Sequence, residues 1–235
     1  MGPCVDPMHS SNEMRRLREE LSEFHHLKDH AYASPAGHRL TITGVEDVDS
    51  LLEELIAADP DSVAVCDERL PYWASYWACG VAMADWILSG DDIQPGSQVL
   101  ELGCGLGIGS VAASLRGAQV TATDYQPDAL DFTLYNCLQN TGTEPAVELL
   151  DWRSPPAGRS YDTVIGSDLA YEKRMFTPLL RCFDALLAPG GRIVFSEGNR
   201  EVGRPFFGML EERGWRYELL LEKKAANVYG VTRDG

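Results

Sequence analysis

Short apolar runs alternate with amphipathic stretches from residue 98 to the end of the chain. The apolar runs predict seven strands, which are QVLEL (98–102), QVTATD (119–124), AVELL (146–150), YDTVIGSD (161–168), GRIVFSE (191–197), WRYELLLE (215–222) and NVYGVTR (227–233). The segments between the first five strands have room for helices over Ile108–Arg116, Pro127–Asn140 and Pro178–Leu187, the last capped by Thr177. One more helix is predicted before the first strand, over Trp77–Leu88.

Alternation of strands and helices indicates parallel βαβ units, hence an open sheet with helices on both faces. The last two strands are an exception because only about four residues separate them, too few for a crossover helix, so they should pair antiparallel. The pattern therefore predicts an α/β fold with a doubly wound, mostly parallel seven-stranded sheet and an antiparallel last strand, plus an N-terminal α+β extension.

Residues 1–70 follow a different pattern. An amphipathic helix is predicted from Asn12 to Lys28, and its apolar face consists of Met14, Leu17, Leu21, Phe24 and either Leu27 or His25. A hairpin then turns at Pro-Ala-Gly (35–37), and DVDSLLEELIAAD (47–59) reads as a helix that stops before Pro60. We expect residues 1–70 to be an accessory or substrate region and residues 71–235 to form the main domain.

Composition narrows the class of protein. The 235 residues are 44% hydrophobic and 24% charged, which is typical of a globular chain, and the net charge of -16 argues against a nucleic-acid partner. Six cysteines without a CxxC pair indicate buried thiols in a reducing compartment. The N-terminus lacks the apolar core of a signal peptide, and no apolar run is long enough to span a membrane. These features predict a cytoplasmic protein.

A glycine-rich loop, VLELGCGLGIGS (99–110), joins the first strand to the following helix. A dinucleotide fingerprint would need glycine where Ile108 or Ser110 stands, and a P-loop would need Gly-Lys-Ser/Thr, so both classes fail. Asp124 ends the next strand, 21 residues after Gly103, where an acid meets the hydroxyls of a ribose in doubly wound folds. The loop therefore predicts a ligand that carries ribose and need not carry phosphate.

The E-L-G-C-G-L-G run, together with Asp124, resembles the first motif of class I, seven-stranded S-adenosylmethionine (AdoMet) methyltransferases. The resemblance implies a Rossmann-like fold with AdoMet as cofactor. It also implies that an acid after the third strand faces the adenine amino group, and Asp151-Trp152 stands there. An ordinary loop Asp followed by a core Trp is the alternative. The cofactor-binding residues implied are Trp77, Glu101, Gly103, Cys104, Gly105, Gly107, Asp124, Tyr125, Asp151, Trp152 and Ser167.

Two more motifs narrow the resemblance. P-Y-W-A-x-x-W-x-x-G (71–80) and the D-x-x-Y element of Asp168 and Tyr171 are similar to those of methyltransferase family 16, which includes lysine methyltransferases of the electron-transfer flavoprotein β subunit. The resemblance implies that Trp77 lies against the cofactor and that Asp168 and Tyr171 are catalytic. Alternatively, the aromatic residues only staple the accessory region to the sheet, and Asp168 and Tyr171 have capping and packing roles. Ser196-Glu197 adds a carboxylate at the end of the fifth strand.

The chemistry available to residues 71–235 involves no histidine, because all five histidines lie in the first 38 residues. His26 and His30 are one helical turn apart but have only Asp29 nearby, so no metal site is expected. Methyl transfer from a sulfonium needs mainly alignment and exclusion of water. Asp168 would first orient the ammonium of a lysine, whose free pKa is about 10.4, and proton acceptance is a second role.

The resemblance predicts methyl transfer to a protein lysine, and three other functions stay open. They are a small-molecule N-methyltransferase, an AdoMet-binding interaction protein without catalysis, and an NAD-dependent oxidoreductase, which the glycine spacing disfavours. A crevice capped by residues 1–70 would favour a small acceptor, whereas an open acidic groove would favour a protein. The sequence leaves the oligomeric state undetermined.

Overall fold

The computed structural model describes residues 7–233, with side chains for 11–62 and 64–233. The N-terminal part begins with a helix, continues into a two-stranded antiparallel hairpin and ends in two shorter helices. These elements are α1 (Pro7–Phe24), β1 (Leu27–Ala33), β2 (Arg39–Val45), α2 (Val48–Ala57) and α3 (Val63–Cys66).

The remaining residues build the main sheet and the helices that cover it. The elements are α4 (Ala78–Ser89), β3 (Gln98–Leu102), α5 (Ile108–Leu115), β4 (Gln119–Asp124), α6 (Pro127–Thr141), β5 (Ala146–Leu149), β6 (Tyr161–Ser167), α7 (Phe176–Leu186), β7 (Leu187–Glu197), α8 (Arg204–Glu212), β8 (Trp215–Glu222) and β9 (Asn227–Arg233). The 3-10 turns Pro71–Ala74 and Lys173–Met175 precede α4 and α7.

Seven strands pair in the order β5-β4-β3-β6-β7-β9-β8. The first five are parallel, whereas β9 runs antiparallel to both of its neighbours. This confirms the predicted fold class. The chain proceeds outward from β3 in one direction through β4 and in the other through β6, and such a reversal leaves a crevice at the carboxyl ends of the strands.

Each face of the sheet buries its own apolar cluster, as expected when parallel strands are covered on both sides. On one face, fully buried side chains such as Met83, Val111 and Phe132 belong to α4, α5 and α6. On the other, Leu179 and Phe183 of α7 pack with residues of α8 and the sheet. No helix within residues 7–233 combines the length and apolar character needed to cross a membrane.

The N-terminal helix and hairpin share the first of these cores. Leu17, Leu21 and Ile42 are buried in the same cluster as Phe132. The buried side chain of Asn136 in α6 makes two hydrogen bonds to the backbone of β2, as a neighbouring strand would. Its Oδ1 accepts from the Thr43 N–H at 2.8 Å, and its Nδ2 donates to the Thr43 carbonyl at 2.9 Å. These contacts fix the N-terminal elements beside α6.

Several boundaries predicted from the sequence were wrong. The first helix ends at Phe24 rather than at Lys28, and Leu27 begins β1. Phe24 is 79% exposed, so the apolar face of α1 is shorter than the spacing suggested. The helix placed over 178–187 starts at Phe176, two residues before Pro178, and Thr177 does not cap it.

The sequence reasoning also missed α8. The strands on either side of it, β7 and β8, were predicted, but Pro205 and Gly208 weakened the helical pattern of RPFFGMLEE. Of the cysteines, Cys79, Cys104, Cys137 and Cys182 are buried free thiols, as predicted, whereas Cys66 is exposed. The prediction for Cys4 lies outside the described residues.

Candidate active site

A cavity opens at the carboxyl ends of β3, β4 and β6, where the strand order reverses. It collects eleven of the thirteen site residues predicted from the sequence, namely Trp77, Glu101, Gly103, Cys104, Gly105, Asp124, Tyr125, Trp152, Ser167, Asp168 and Tyr171. These residues come from five separate segments of the chain. Parallel pairing brings the four segments at the ends of β3, β4, β5 and β6 together, because each strand delivers its last residue to the same edge.

The glycine-rich loop adopts a conformation that other residues rarely take. Gly103, Gly105 and Gly107 have φ angles of 63°, 52° and 73°, all in the left-handed region. A Cβ added to Gly105 would lie 3.0 Å from the Trp73 carbonyl oxygen. Space and backbone angle thus both require glycine there, and the loop lies against the wall formed by Trp73.

Asp124 is held by the same loop. Its Oδ2 accepts from the Gly105 N–H at 3.1 Å, and its Oδ1 accepts from the Gln126 N–H at 3.0 Å. Burial raises the pKa of Asp124 to about 6, against the opposing effect of these backbone donors. Each oxygen keeps a lone pair for a ligand in the cavity.

Glu101 is a second carboxylate beneath the loop. It is 1% exposed, and its Oε2 accepts from both the backbone N–H, at 2.8 Å, and the hydroxyl of Ser110 at the start of α5. Its Oε1 lies so near Gly109 that any Cβ there would overlap it. Burial raises the pKa of Glu101 to about 7. Gly109, which also lines the cavity, must therefore be glycine to fit against Glu101. Gly107 does not line the cavity, and a Cβ added to it would lie 2.7 Å from Thr133 Cγ2.

The aromatic residues of the PYWASYW segment divide between the two roles predicted for them. Tyr72, Trp73 and Trp77 line the cavity, and the Trp77 indole N–H donates to the Tyr72 carbonyl at 2.7 Å. Tyr76 instead stacks on His30 of β1, with ring centroids 4.8 Å apart and an interplanar angle of 3°. One segment therefore forms a wall of the cavity and also fastens the N-terminal hairpin.

Asp168 and Tyr171 follow the end of β6 and line the same cavity as the glycine loop. Asp168 has a φ of 60°, unusual for a residue with a side chain, and its carboxylate contacts the guanidinium of Arg200. Burial raises the pKa of Asp168, while Arg200 opposes that effect. The Tyr171 ring meets Tyr72 edge to face at 5.6 Å. Tyr171 therefore contacts the aromatic segment of the cavity, whereas Asp168 contacts Arg200.

Asp151 does not line this cavity. Its carboxylate accepts from the backbone N–H of Arg153 at 2.9 Å and pairs with the guanidinium, which lowers the pKa of Asp151. It borders a second cavity that shares Tyr125, Trp152 and Tyr171 with the first. The adenine contact predicted for Asp151 stays a prediction.

Several residues that line the cavity were not predicted as site residues. They are Leu70, Trp73, Ser75, Leu106, Ile108 and Leu169. Trp73 belongs to the aromatic motif and could have been included, whereas Leu70 and Ser75 carry no sequence signal. No histidine with a described side chain lines the cavity. Within the same part of the chain, no three His, Cys, Asp or Glu side chains are grouped to hold a metal ion.

Comparison with known proteins decides the family. A model of a family described as lysine methyltransferase matches residues 74–213, more than half of the chain. The chain belongs to this lysine methyltransferase family. The match includes the glycine loop, Asp124, Asp168 and Tyr171, and it confirms the family predicted from the sequence.

Two curated relatives illustrate the similarity. The electron transfer flavoprotein beta subunit lysine methyltransferase of Danio rerio is 37% identical over 107 residues, 45% of this chain and 41% of that relative. EEF1A lysine methyltransferase 3 of Mus musculus is 32% identical over 166 residues, 68% of this chain and 71% of that protein. The chain described here therefore spans less than half the length of the Danio rerio relative.

Solved structures support the fold. The ribosomal protein L11 methylase of Lactobacillus delbrueckii subsp. bulgaricus superposes with a TM-score of 0.55 and 21% identity, covering 65% of this lysine methyltransferase family member and 77% of that chain. At this identity the likeness concerns the fold alone. It agrees with the seven-stranded, Rossmann-like sheet.

Proposed function

We propose that this protein is an AdoMet-dependent methyltransferase and that its acceptor is a lysine side chain of another protein. One observation carries the proposal: the glycine loop with Asp124 and the Asp168–Tyr171 pair face a single cavity. The first feature suits a nucleoside cofactor and the second suits a cationic acceptor. Membership of the lysine methyltransferase family supports both assignments.

The residues of the cavity fit AdoMet. The buried Asp124 carboxylate, fixed by two backbone donors, has acceptor capacity for the two hydroxyls of a ribose. Glu101 adds a negative charge that complements an amino group. The faces of Tyr72 and Trp77 suit a sulfonium, because a cation is attracted to an aromatic face. Cys104, Gly103 and Ser167 complete the proposed cofactor site.

AdoMet, when bound, supplies a methyl group on an activated sulfonium. The residues of the protein must then hold the acceptor in line and remove its proton. Asp168 would orient the incoming ammonium, and the apolar aromatic wall favours its neutral form. The neutral amine would then have its lone pair free to take the methyl group from the sulfonium, and the proton that the ammonium lost would pass to a carboxylate or to water.

The size of the acceptor follows from what surrounds the cavity. Of the described residues before Pro71, only Leu70 lines it, while α1 and the hairpin pack beside α6. Because none of the described residues before Leu70 lines the cavity, this arrangement supports a lysine presented by a protein over a small metabolite. The free thiols of the described cysteines are consistent with the reducing cytoplasm, which we propose as its location.

We expect the affinity for AdoMet to fall as the pH is lowered. The pKa of Asp124 is about 6, so at pH 5 only about a tenth of the carboxylate is ionised. Because the ionised form is proposed to bind the ribose, protonation of Asp124 alone should lower affinity about tenfold between pH 7.5 and pH 5. Glu101, with a pKa of about 7, loses its charge over the same range and adds to the drop in every variant that keeps it. Isothermal titration calorimetry across this range measures the change. The Asp124→Asn variant should bind weakly, and its affinity should fall about tenfold less than that of the wild type; an equally steep profile in that variant would reject this role.

Transfer of a labelled methyl group tests the function directly. Purified protein and labelled AdoMet are added to a lysate of cells that lack this protein, and mass spectrometry locates the label. We expect label on lysines of one or a few proteins and none with Asp124→Ala. Label confined to small metabolites would favour the small-molecule alternative. AdoMet binding without any transfer would favour an interaction protein, and NAD binding without AdoMet binding would overturn the cofactor.

A further inference from the structure

A second carboxylate lies beside Asp168 at the edge of the sheet. Strands β6 and β7 pair in parallel with Ser167 opposite Ser196, so Asp168 and Glu197 are the next residues on each strand. The Asp168 N–H donates to the Ser196 carbonyl at 2.8 Å, which fixes the two strand ends together. Glu197 is only 2% exposed. The fold therefore holds two acidic side chains next to each other in a mostly buried position.

The carboxylate of Glu197 lacks the hydrogen bonds that buried acids normally have. Neither oxygen accepts one from a described residue. The N–H groups of Gly198 and Ala170 lie close enough to favour its charged form, yet neither meets hydrogen-bond geometry. Burial and the neighbouring Asp168 raise the pKa of Glu197 to about 7. An unsatisfied buried carboxylate is costly, and a catalytic role or a bound cation is among the explanations for such a group in a native protein.

Arg200 is the cation nearest to both acids. Its Nη2 contacts Asp168 Oδ1 and lies 3.7 Å from Glu197 Oε1. Its side chain is 40% exposed and belongs to the segment between β7 and α8. One guanidinium therefore faces two carboxylates from the solvent side. With both acids ionised the three side chains carry one net negative charge, and the Arg200–Glu197 contact is longer than a hydrogen bond.

Arg200 lies between the proposed cofactor cavity and a groove on the protein surface. Asp168 lines the proposed cofactor cavity, whereas Glu197 and Arg200 line a neighbouring surface groove together with Asn199, Arg204, Phe207, Tyr217 and Tyr229. The Asp168–Arg200 contact lies where the two meet. A cationic side chain that arrives along the groove would therefore encounter Arg200 before it reaches Asp168.

We infer that Asp168 and Glu197 together form the binding site for the acceptor ammonium, and that Arg200 occupies this site as an internal cation until the acceptor displaces it. This inference rests on the proposed function and adds Glu197 and Arg200 to the residues that serve it. A guanidinium on a long, half-exposed side chain can return to water when released. An ammonium is compact and has three donors, so it can reach the Glu197 oxygens that Arg200 leaves without hydrogen bonds.

Binding of a simple amine tests the inference without turnover. The probe is n-butylammonium chloride, titrated by NMR into the full-length protein with and without S-adenosylhomocysteine. Removing the competing cation in Arg200→Ala should tighten amine binding about tenfold, and Glu197→Gln should weaken it about tenfold.

The controls separate this inference from a structural effect and from the proposed function. Arg213→Ala removes the same charge from a pair with Asp184 and should leave amine binding unchanged. Glu197→Gln should fold with an equal or higher melting temperature, because it removes an unsatisfied buried charge. Amine binding that is equal or weaker in Arg200→Ala, or unchanged in Glu197→Gln, overturns the inference. Failure to bind S-adenosylhomocysteine counts against the proposed cofactor alone, since the titration without it still reports on the amine site.

Discussion

Replacement of Gly105 with valine should lower the affinity for AdoMet at least about 100-fold, because a β-branched residue is strongly disfavoured at positive φ. The φ of Gly105 is 52°, and a Cβ there would lie 3.0 Å from the Trp73 carbonyl oxygen, so the loop would have to shift. Such a shift would break the Gly105 N–H hydrogen bond to Asp124 and disturb the proposed ribose site. Calorimetric titration with AdoMet measures the loss.

A matched glycine outside the site provides the control. Gly158 has a φ of 78°, but no atom lies within 4 Å of a Cβ added there. Gly158→Val therefore imposes a similar backbone strain without crowding the cavity, and AdoMet affinity should change less than about threefold. Equal losses in the two variants would mean that general destabilisation, rather than the cofactor site, explains the effect of Gly105→Val. Circular dichroism of both variants checks that they remain folded.

The part of the site that could be predicted consists of residues fixed by local sequence. Gly105 follows a strand directly, and Asp124 ends the next strand, so strand order alone brings them to one edge. The same reasoning placed Asp168 correctly at the end of β6. The aromatic segment shows the limit of such reasoning. Tyr76 and Trp77 are adjacent in sequence, yet one stacks on the N-terminal hairpin and the other lines the cavity.

Features that depend on distant contacts could not be read from the sequence. Arg200 pairs with Asp168, which lies 32 positions away in the sequence, and no periodic pattern of residues predicts such a pair. Helix α8 contains Pro205 and Gly208, and its burial comes from Phe206 and Leu210 packing in the core beneath the sheet. At the N-terminus, Leu27 has helical spacing from α1 but is recruited into the hairpin by pairing with Val45. In each case tertiary packing overrides local propensity.

Asp168→Asn should reduce the rate of methyl transfer to lysate proteins at least about 100-fold, because it removes the charge proposed to hold the acceptor ammonium. Asparagine keeps the size of the side chain and tolerates the φ of 60° better than most residues. AdoMet affinity should stay within about twofold of wild type, since the predicted ribose and amino contacts belong to Asp124 and Glu101. Rate is measured by incorporation of labelled methyl groups, and affinity by calorimetry.

A second aspartate of the same strand distinguishes the role of Asp168 from a general effect of charge. Asp162 lies at the opposite end of β6, is exposed, and accepts from the Gln98 N–H through an oxygen that asparagine retains. Asp162→Asn should therefore transfer methyl groups at the wild-type rate. An unchanged rate in Asp168→Asn would remove Asp168 from the chemistry. A parallel loss of AdoMet affinity would instead mean that Asp168 supports the cofactor, and the acceptor amine would then have to be held by other groups.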